Sequence, residues 1–245
     1  MAEYRELPPS ATLTDDVACV WFDDRLRRAD EPRQQLVVPD GCADIVWIRG
    51  RVLSVAGPAT LPVVADLPPD SPVLGLRFRP GHAPGFLGVP ADALLNADVP
   101  LCELWSDAAE RLTEALETAP SIDDGLRTMQ RAVEQQRQQS TDTLVAAAVR
   151  YLRRRPRAQV RELGHVLGIS ERQLLRRFSN AVGYGPKVLA RVLRFQRFMR
   201  LISQPRTRAW DLARLAAEAG YADHAHLTRE CTELAGSVPS VLRQA

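Results

Sequence analysis

Ala216-Ala217-Glu218-Ala219-Gly220-Tyr221-Ala222-Asp223-His224-Ala225-His226-Leu227-Thr228-Arg229 is the stretch from which the rest of the chain can be read. Leu212, Leu215 and Ala216 place an apolar stripe along one helix. Gly220 supplies a left-handed residue to end it, Tyr221 plugs the angle that follows, and Asp223 is a good N-cap for the next helix. That helix, predicted over Asp223–Leu234, buries Leu227, Cys231 and Leu234. It presents His224, Ala225, His226, Thr228 and Arg229. Two short helices joined by such a turn have the mechanics of a helix-turn-helix.

The same unit occurs once more upstream. Leu174, Arg176, Gly183 and Pro186 recur as Leu227, Arg229, Gly236 and Pro239, an offset of 53 residues. Leu163 aligns with Leu212 at an offset of 49, which predicts a few extra residues near the second turn. In the first copy Val160, Leu163 and Leu167 form the stripe, Gly168 turns, Ile169 plugs and Ser170 caps. Its second helix, Glu171–Val182, is predicted to bury Leu174, Leu175, Phe178 and Val182, leaving Arg172, Gln173, Arg176 and Arg177 outward. Two copies are too few for a solenoid and suit a duplicated reading unit. The connector opens with Pro186, well placed at a first helical position. Its predicted seam is Val188, Val192, Phe195, Met199 and Ile202. A rigid helix there holds two heads at fixed separation, and major-groove faces recur every ~34 Å along one side of B-DNA.

Charge divides the chain in the same place. The formal net charge of +2 conceals +11 over residues 141–245 and −9 over the preceding 140. A basic second part facing a polyanion and an acidic first part kept off it explain that sorting. Nearly all the cations are Arg, Lys187 being the only Lys.

From Gln34 to about Val89 the chain reads as short strands. Leu36–Val38, Ile45–Ile48, Val52–Ala56, Pro62–Leu67 and Val73–Phe78 are separated by Pro39-Asp40-Gly41, Gly50, Gly57-Pro58, Pro68-Pro69 and Pro80-Gly81. This spacing predicts a small barrel or sandwich. Helical periodicity follows in Leu94, Leu101, Leu104, Trp105, Leu112 and Leu116, then in Ile122, Leu126, Met129 and Val133. That pair of helices is expected to dock on the strands or to pair with a second subunit. The expected organisation is α+β, with an N-terminal domain over 1–135, a polar linker over 136–141 and a tandem helix-turn-helix domain over 142–245.

The region Asp142–Ala245 resembles the AraC/XylS family of transcription regulators, most specifically through the quoted stretch and the closing Gly236-Ser237-Val238-Pro239. The resemblance implies that the second helix of each copy enters the major groove. Base-contacting positions are then Arg172, Gln173 and Arg176 in the first copy and His224, Ala225, His226, Thr228 and Arg229 in the second. Leu175 stands where the family often has a polar residue, and Cys231 where it commonly has Phe. Pro39-Asp40-Gly41-Cys42-Ala43-Asp44 and Arg77-Phe78-Arg79-Pro80-Gly81 resemble the effector or dimerisation domain of actinobacterial members, which implies a cupin-like β-barrel with flanking helices. Further implications are a homodimer, a small-molecule effector, and activation through contact with RNA polymerase, with repression as the alternative.

Single arginines on helix faces are ordinarily solvated charges. Repeated placement on two reading helices in a basic segment favours DNA contact, where Arg pairs bidentately with guanine O6 and N7. Ser170, Arg177, Arg194, Arg197, Arg206 and Arg208 are assigned to phosphates, which give affinity and salt dependence without sequence choice. The basic cluster Arg153–Arg155 with Arg157 suits either phosphates or the negative end of its own helix. The His224-x-His226 pair points its rings about 200° apart on a helix, so no metal site is expected. In the first part Asp44, Trp47, Arg77, Arg79 and His82 are the candidates for an effector pocket. Asp40 fits a Pro-Asp-Gly turn, and His82 is the only histidine outside the basic part.

No catalytic residue and no cofactor are expected, since no nucleophile–base pair or phosphate-cradling loop is recognisable. Cys19, Cys42, Cys102 and Cys231 are scattered and read as buried free thiols. No apolar run suggests a membrane span, and MAEYRELPPS lacks the pattern of a signal peptide, so a cytoplasmic protein is expected. Two other readings stay open: a constitutive regulator whose first domain only dimerises, and a DNA-repair enzyme that transfers an alkyl group to a cysteine.

Overall fold

The computed structural model describes residues 4–25, 32–158 and 160–244. Met1–Glu3 and Ala245, the ends of the expected domain ranges, lie outside them. The chain is α+β: a β-sheet domain followed by a helical one. Its strands are β1 (Tyr4–Leu7), β2 (Val17–Asp23), β3 (Arg33–Val37), β4 (Asp44–Ile48), β5 (Ser54–Ala56), β6 (Val63–Leu67), β7 (Val73–Phe78) and β8 (Asp98–Pro100). Six of them form one antiparallel sheet in the order β1-β2-β7-β4-β5-β8, while β3 and β6 form a separate two-stranded ribbon.

The sheet does not close into the barrel that the sequence suggested. Its outer strands β1 and β8 do not pair with each other, and among the described residues only the short ribbon accompanies the sheet. Pro100 on β8 also removes a donor that further pairing would use, a device common at sheet edges.

Strand alternation sorts the side chains of the sheet between two faces. Val20, Ile45, Trp47, Leu74 and Leu76 share one face in a fully buried core. Helices cover it: α1 (Pro84–Leu87), α2 (Cys102–Trp105), α3 (Asp107–Glu117) and α4 (Ile122–Gln135). From α3 and α4 come Leu112, Leu116, Leu126, Met129 and Val133, so this helix pair docks on its own sheet. The other face carries Trp21, Val46, Ile48 and Val73 against Ala65 and Leu67 of the ribbon.

The helical part comprises α5 (Thr143–Arg154), α6 (Val160–Leu167), α7 (Glu171–Val182), α8 (Pro186–Ile202), α9 (Leu212–Ala219), α10 (His224–Ala235) and α11 (Pro239–Leu242). Two apolar cores divide it. Val145, Val149, Leu152, Leu163, Leu174, Phe178 and Val182 fill the first, and Leu215, Tyr221, Leu227, Cys231 and Leu234 the second. The connector α8 serves both, with Leu189 in the first and Val192, Phe195, Phe198 and Leu201 in the second. Its seam therefore differs from the predicted one. Val188, Met199 and Ile202 are only partly buried, because a helix gripped by two cores buries more than one stripe.

Residues 136–141 run tied to the first domain. The Gln138 and Gln139 amides donate to the Gly85 carbonyl at 2.8 and 3.2 Å. The Thr141 hydroxyl donates to Asp16 at 3.1 Å, and Arg137 pairs with the same carboxylate at 2.7 Å. Further contacts also join the domains. A 3-10 turn at Ala91–Leu94 packs on α7 near Gly183, and Gln196 of α8 donates to the Pro39 carbonyl at 2.7 Å. No described helix is long and apolar enough to cross a membrane.

Candidate nucleic-acid interface

Each copy of the repeat is built from a short helix, a left-handed glycine, an N-capped second helix, a closing glycine and a proline that opens the next helix. Head one is α6 with α7; head two is α9 with α10. Gly168 (φ +66°) and Gly220 (φ +102°) make the turns, a backbone region that favours glycine. Ser170 Oγ accepts from the Gln173 amide at 3.3 Å, and Asp223 Oδ1 from the His226 amide at 2.7 Å. Each cap satisfies an orphan donor of a helix start and fixes where the exposed face of that helix begins. Gly183 and Gly236 close the helices, and Pro186 and Pro239 open the next ones.

The structural register corrects the alignment of the turns. Leu163 and Leu215, both fully buried, occupy the same place in α6 and α9, so Leu163 does not correspond to Leu212. Both first helices are eight residues long. The second turn gains a single residue, Ala222, between the plug Tyr221 and the cap Asp223.

Arg172, Leu175 and Arg176 lie exposed on α7, and His224, Ala225 and Arg229 on α10. Leu175 corrects the predicted core of head one, being 53% exposed while Leu174, Phe178, Ala181 and Val182 fill the seam. Arg172, Arg176 and Arg229 form no salt bridge among the described residues, and Arg176 and Arg229 stand at the same register. Thr228 is partly exposed and donates its hydroxyl proton to the His224 carbonyl at 2.9 Å, which leaves the oxygen as an acceptor.

Other expected DNA-contacting side chains are engaged within the protein. Gln173 completes a capping box, its Oε1 accepting from the Ser170 amide and hydroxyl at 3.2 Å each. His226, at the matching position in α10, donates from Nε2 to Glu230 at 3.2 Å and meets Tyr221 edge-on. Arg177 pairs with Asp142 at 2.7 Å. Arg194 is mostly buried and pairs with Glu230 at 2.9 Å. Arg197 holds the Glu218 carbonyl and carboxylate at 2.9 and 3.2 Å. Arg206 and Arg208 are exposed between α8 and α9. Sequence reasoning missed Glu230; its only signal was a charge next to the apolar seam Leu227, Cys231, Leu234, four residues after a histidine.

Arg157 donates to the Ala217 carbonyl at 3.1 Å, and Pro156 packs against Gly220. The loop after α5 therefore touches the end of α9. Beside this contact lies an open groove of about 530 Å³ lined by Tyr151, Arg155, Arg157, Arg197 and Glu218.

The effector candidates of the first domain do not converge. Asp44 and Arg77 are cross-strand partners on one face of the sheet, paired at 3.0 Å, while Trp47 is buried on the opposite face. Arg77 also meets Asp40 at 3.2 Å and Glu6 at 3.3 Å. Burial pushes the Asp44 carboxyl up to about 6, against the pull of Arg77. Arg79 donates to the Thr14 carbonyl at 3.1 Å, and His82 meets Asp16 at 2.9 Å beside the interdomain segment. Of the four cysteines Cys19 and Cys231 are buried and Cys42 is partly so. Cys102 is exposed on α2, contrary to expectation, because it sits on the outer side of a one-turn helix.

A model described as a helix-turn-helix domain matches residues 163–245, and a domain of unknown function, DUF6597, matches residues 5–100. No curated protein matches the sequence. Among solved structures the chain is similar to ToxT from Vibrio cholerae, with a TM-score of 0.45 and 9% identity over 100% of this chain and 97% of that one. Wild-type ToxT from the same organism bound to an unsaturated fatty acid gives a TM-score of 0.46 and 10% identity, over 88% of this chain and 96% of that one. By geometry and by family model, the C-terminal part is a helix-turn-helix domain.

Proposed function

We propose that the protein is a sequence-specific DNA-binding transcription regulator of the AraC/XylS kind, whose two heads read adjacent major-groove segments on one side of a duplex. The observation that carries this reading is the repeat of one capped unit on either side of α8, with an exposed arginine at the same register in both copies. In this reading Arg172 and Arg176 meet base edges from head one, and His224, Ala225, Thr228 and Arg229 from head two. Arg206 and Arg208 serve phosphates. The boundary between the domains falls at residues 136–141.

The acidic first domain is assigned to dimerisation, to effector binding, or to both, with RNA polymerase as the downstream partner of an activator. Asp44, Arg77 and Asp40 are its best-grouped polar cluster, and Trp47 drops out because it faces the opposite core. The alkyl-transfer alternative is disfavoured. Burial pushes the Cys42 thiol well up, whereas such chemistry needs a thiolate.

Selection from random duplexes, followed by electrophoretic shifts in rising salt, tests the proposal. Arg176→Ala and Arg229→Ala are each expected to lose roughly ten-fold discrimination at one base pair, in different halves of the site, in line with ~1–3 kcal/mol per bidentate contact. Unchanged site choice in both variants overturns the assignment of the heads.

A further inference from the structure

Glu230 lies on the recognition helix of head two, yet only 5% of its surface is exposed. A buried carboxylate is costly unless donors surround it. One oxygen, Oε1, takes the guanidinium of Arg194 at 2.9 Å, the Nε of Arg191 at 3.4 Å and the Nε2 of His226 at 3.2 Å. Arg191 and Arg194 come from the connector α8, and His226 from the preceding turn of α10. Arg194 also stacks on Tyr221, its guanidinium 5.7 Å from the ring centre, and Tyr221 stands edge-on to His226. Arg191 is held a second time by Glu233. The recognition helix and the connector are thus bound through one oxygen of this carboxylate, with Tyr221 of the turn packed on the Arg194 and His226 that it holds, while Oε2 is buried without a hydrogen bond among the described residues.

Among the described residues head one has no such hub. The position equivalent to Glu230 is Arg177, which points outward to Asp142, and the position equivalent to His226 is Gln173, which is used in its own helix cap.

We infer that Glu230 is a specificity-determining positioning residue: by anchoring His226 and the two connector arginines it withholds three cationic or polar groups from DNA and selects His224, Ala225, Thr228 and Arg229 as the side chains that head two presents to bases. The inference rests on the DNA-reading function proposed above. Its chemistry is geometric, since a base contact by His226 needs the same ring nitrogen or ring orientation that the Glu230 bond holds in place. Glu230 itself touches no base.

The test compares wild-type protein, His226→Gln and Glu230→Gln against a selected duplex and its single-base variants in both halves of the site. A glutamine at 226 can still donate to Glu230, so His226→Gln keeps the wild-type rank order to within about two-fold. Glu230→Gln removes the charge that gathers His226, Arg191 and Arg194. It is expected to change preference by at least about five-fold at one base pair or more of the half-site read by α10, and to leave the other half-site unchanged. The inference is overturned if His226→Gln alters preference at a base pair as strongly as Arg229→Ala does. It is equally overturned if Glu230→Gln lowers affinity uniformly for every duplex, or changes nothing. Should Glu230→Gln not fold, the His226→Gln arm decides by itself, because a conserved rank order supports the anchor and an altered one removes it. Failure of the underlying function is distinguishable, since the wild-type protein would then select no sequence.

Discussion

Head one and head two carry the same punctuation and spend the positions between it differently. Leu174 and Leu227 are both buried, and Gly183 and Gly236 both close their helices. Yet Phe178, fully buried in head one, is matched by Cys231 in head two, and the exposed Arg177 is matched by the buried Glu230. Head one is held by an aromatic side chain in the seam of its second helix and by Asp142, the N-cap of α5. Head two, with a smaller side chain in its seam, is held by a charged hub and a stacked tyrosine. Turn and cap residues follow from the shape that both units share. The remaining ones follow from what each unit must be fastened to.

The largest expected contrast lies at that aromatic position. Phe178→Ala should cost about 3–5 kcal/mol in urea unfolding of the full chain, through lost burial and a cavity. Cys231→Ala should cost on the order of 1 kcal/mol, since it removes little more than one methylene's worth of surface. Similar losses at the two sites would break the comparison, showing that head two relies on its core as much as head one does.

The turn glycines are next. At Gly220 an added methyl would stand 2.6 Å from the Cβ of Pro156, at a φ of +102°; at Gly168 nothing lies within 4 Å. Gly168→Ala should therefore show backbone strain alone, about 1 kcal/mol. Gly220→Ala should show strain plus a clash with the other head's loop, about 3 kcal/mol. Thermal unfolding of the two variants measures the difference, and equal shifts would mean that the Pro156 contact does not hold the heads together.

The caps give the smallest contrast. Ser170→Ala and Asp223→Ala should each cost about 1 kcal/mol. The aspartate should lose a few tenths more, because its charge faces the positive end of α10. High salt should erase that excess, and its persistence would argue that the extra loss is not electrostatic.

Much of the helical half was legible because its signals are local. A glycine that must turn left, a cap three residues before a satisfied amide and a proline that can only begin a helix leave marks at fixed spacing. What escaped depended on distant partners. Strand β2, Val17–Asp23, shows no clean alternation because it runs inside the sheet and packs on both faces. Whether a sheet closes is decided by its two edges, which no short stretch records. Leu175 reads as core beside Leu174, but the seam already fills from Leu174 through Phe178 to Val182, leaving Leu175 at its rim. Leu212 passed for the partner of Leu163 because Leu212 and Leu215 stand three residues apart on one helix face, and a slip of one turn leaves the apolar pattern intact. Glu230 escaped notice because the arginines that receive it are more than 30 residues away.

The bond from Gln196 to the Pro39 carbonyl gives α8 a fulcrum. The helix has 17 residues and spans ~25 Å, and tilting it by about 5° about Gln196 carries its Pro186 end, ~15 Å away, by ~1.3 Å. A displacement of that size exceeds the tolerance of a hydrogen bond to a base edge. The Pro39–Cys42 loop therefore sits where a slight movement of the sheet would shift the end of α8 that follows head one, and on the proposed function such a shift would change how that head meets a duplex.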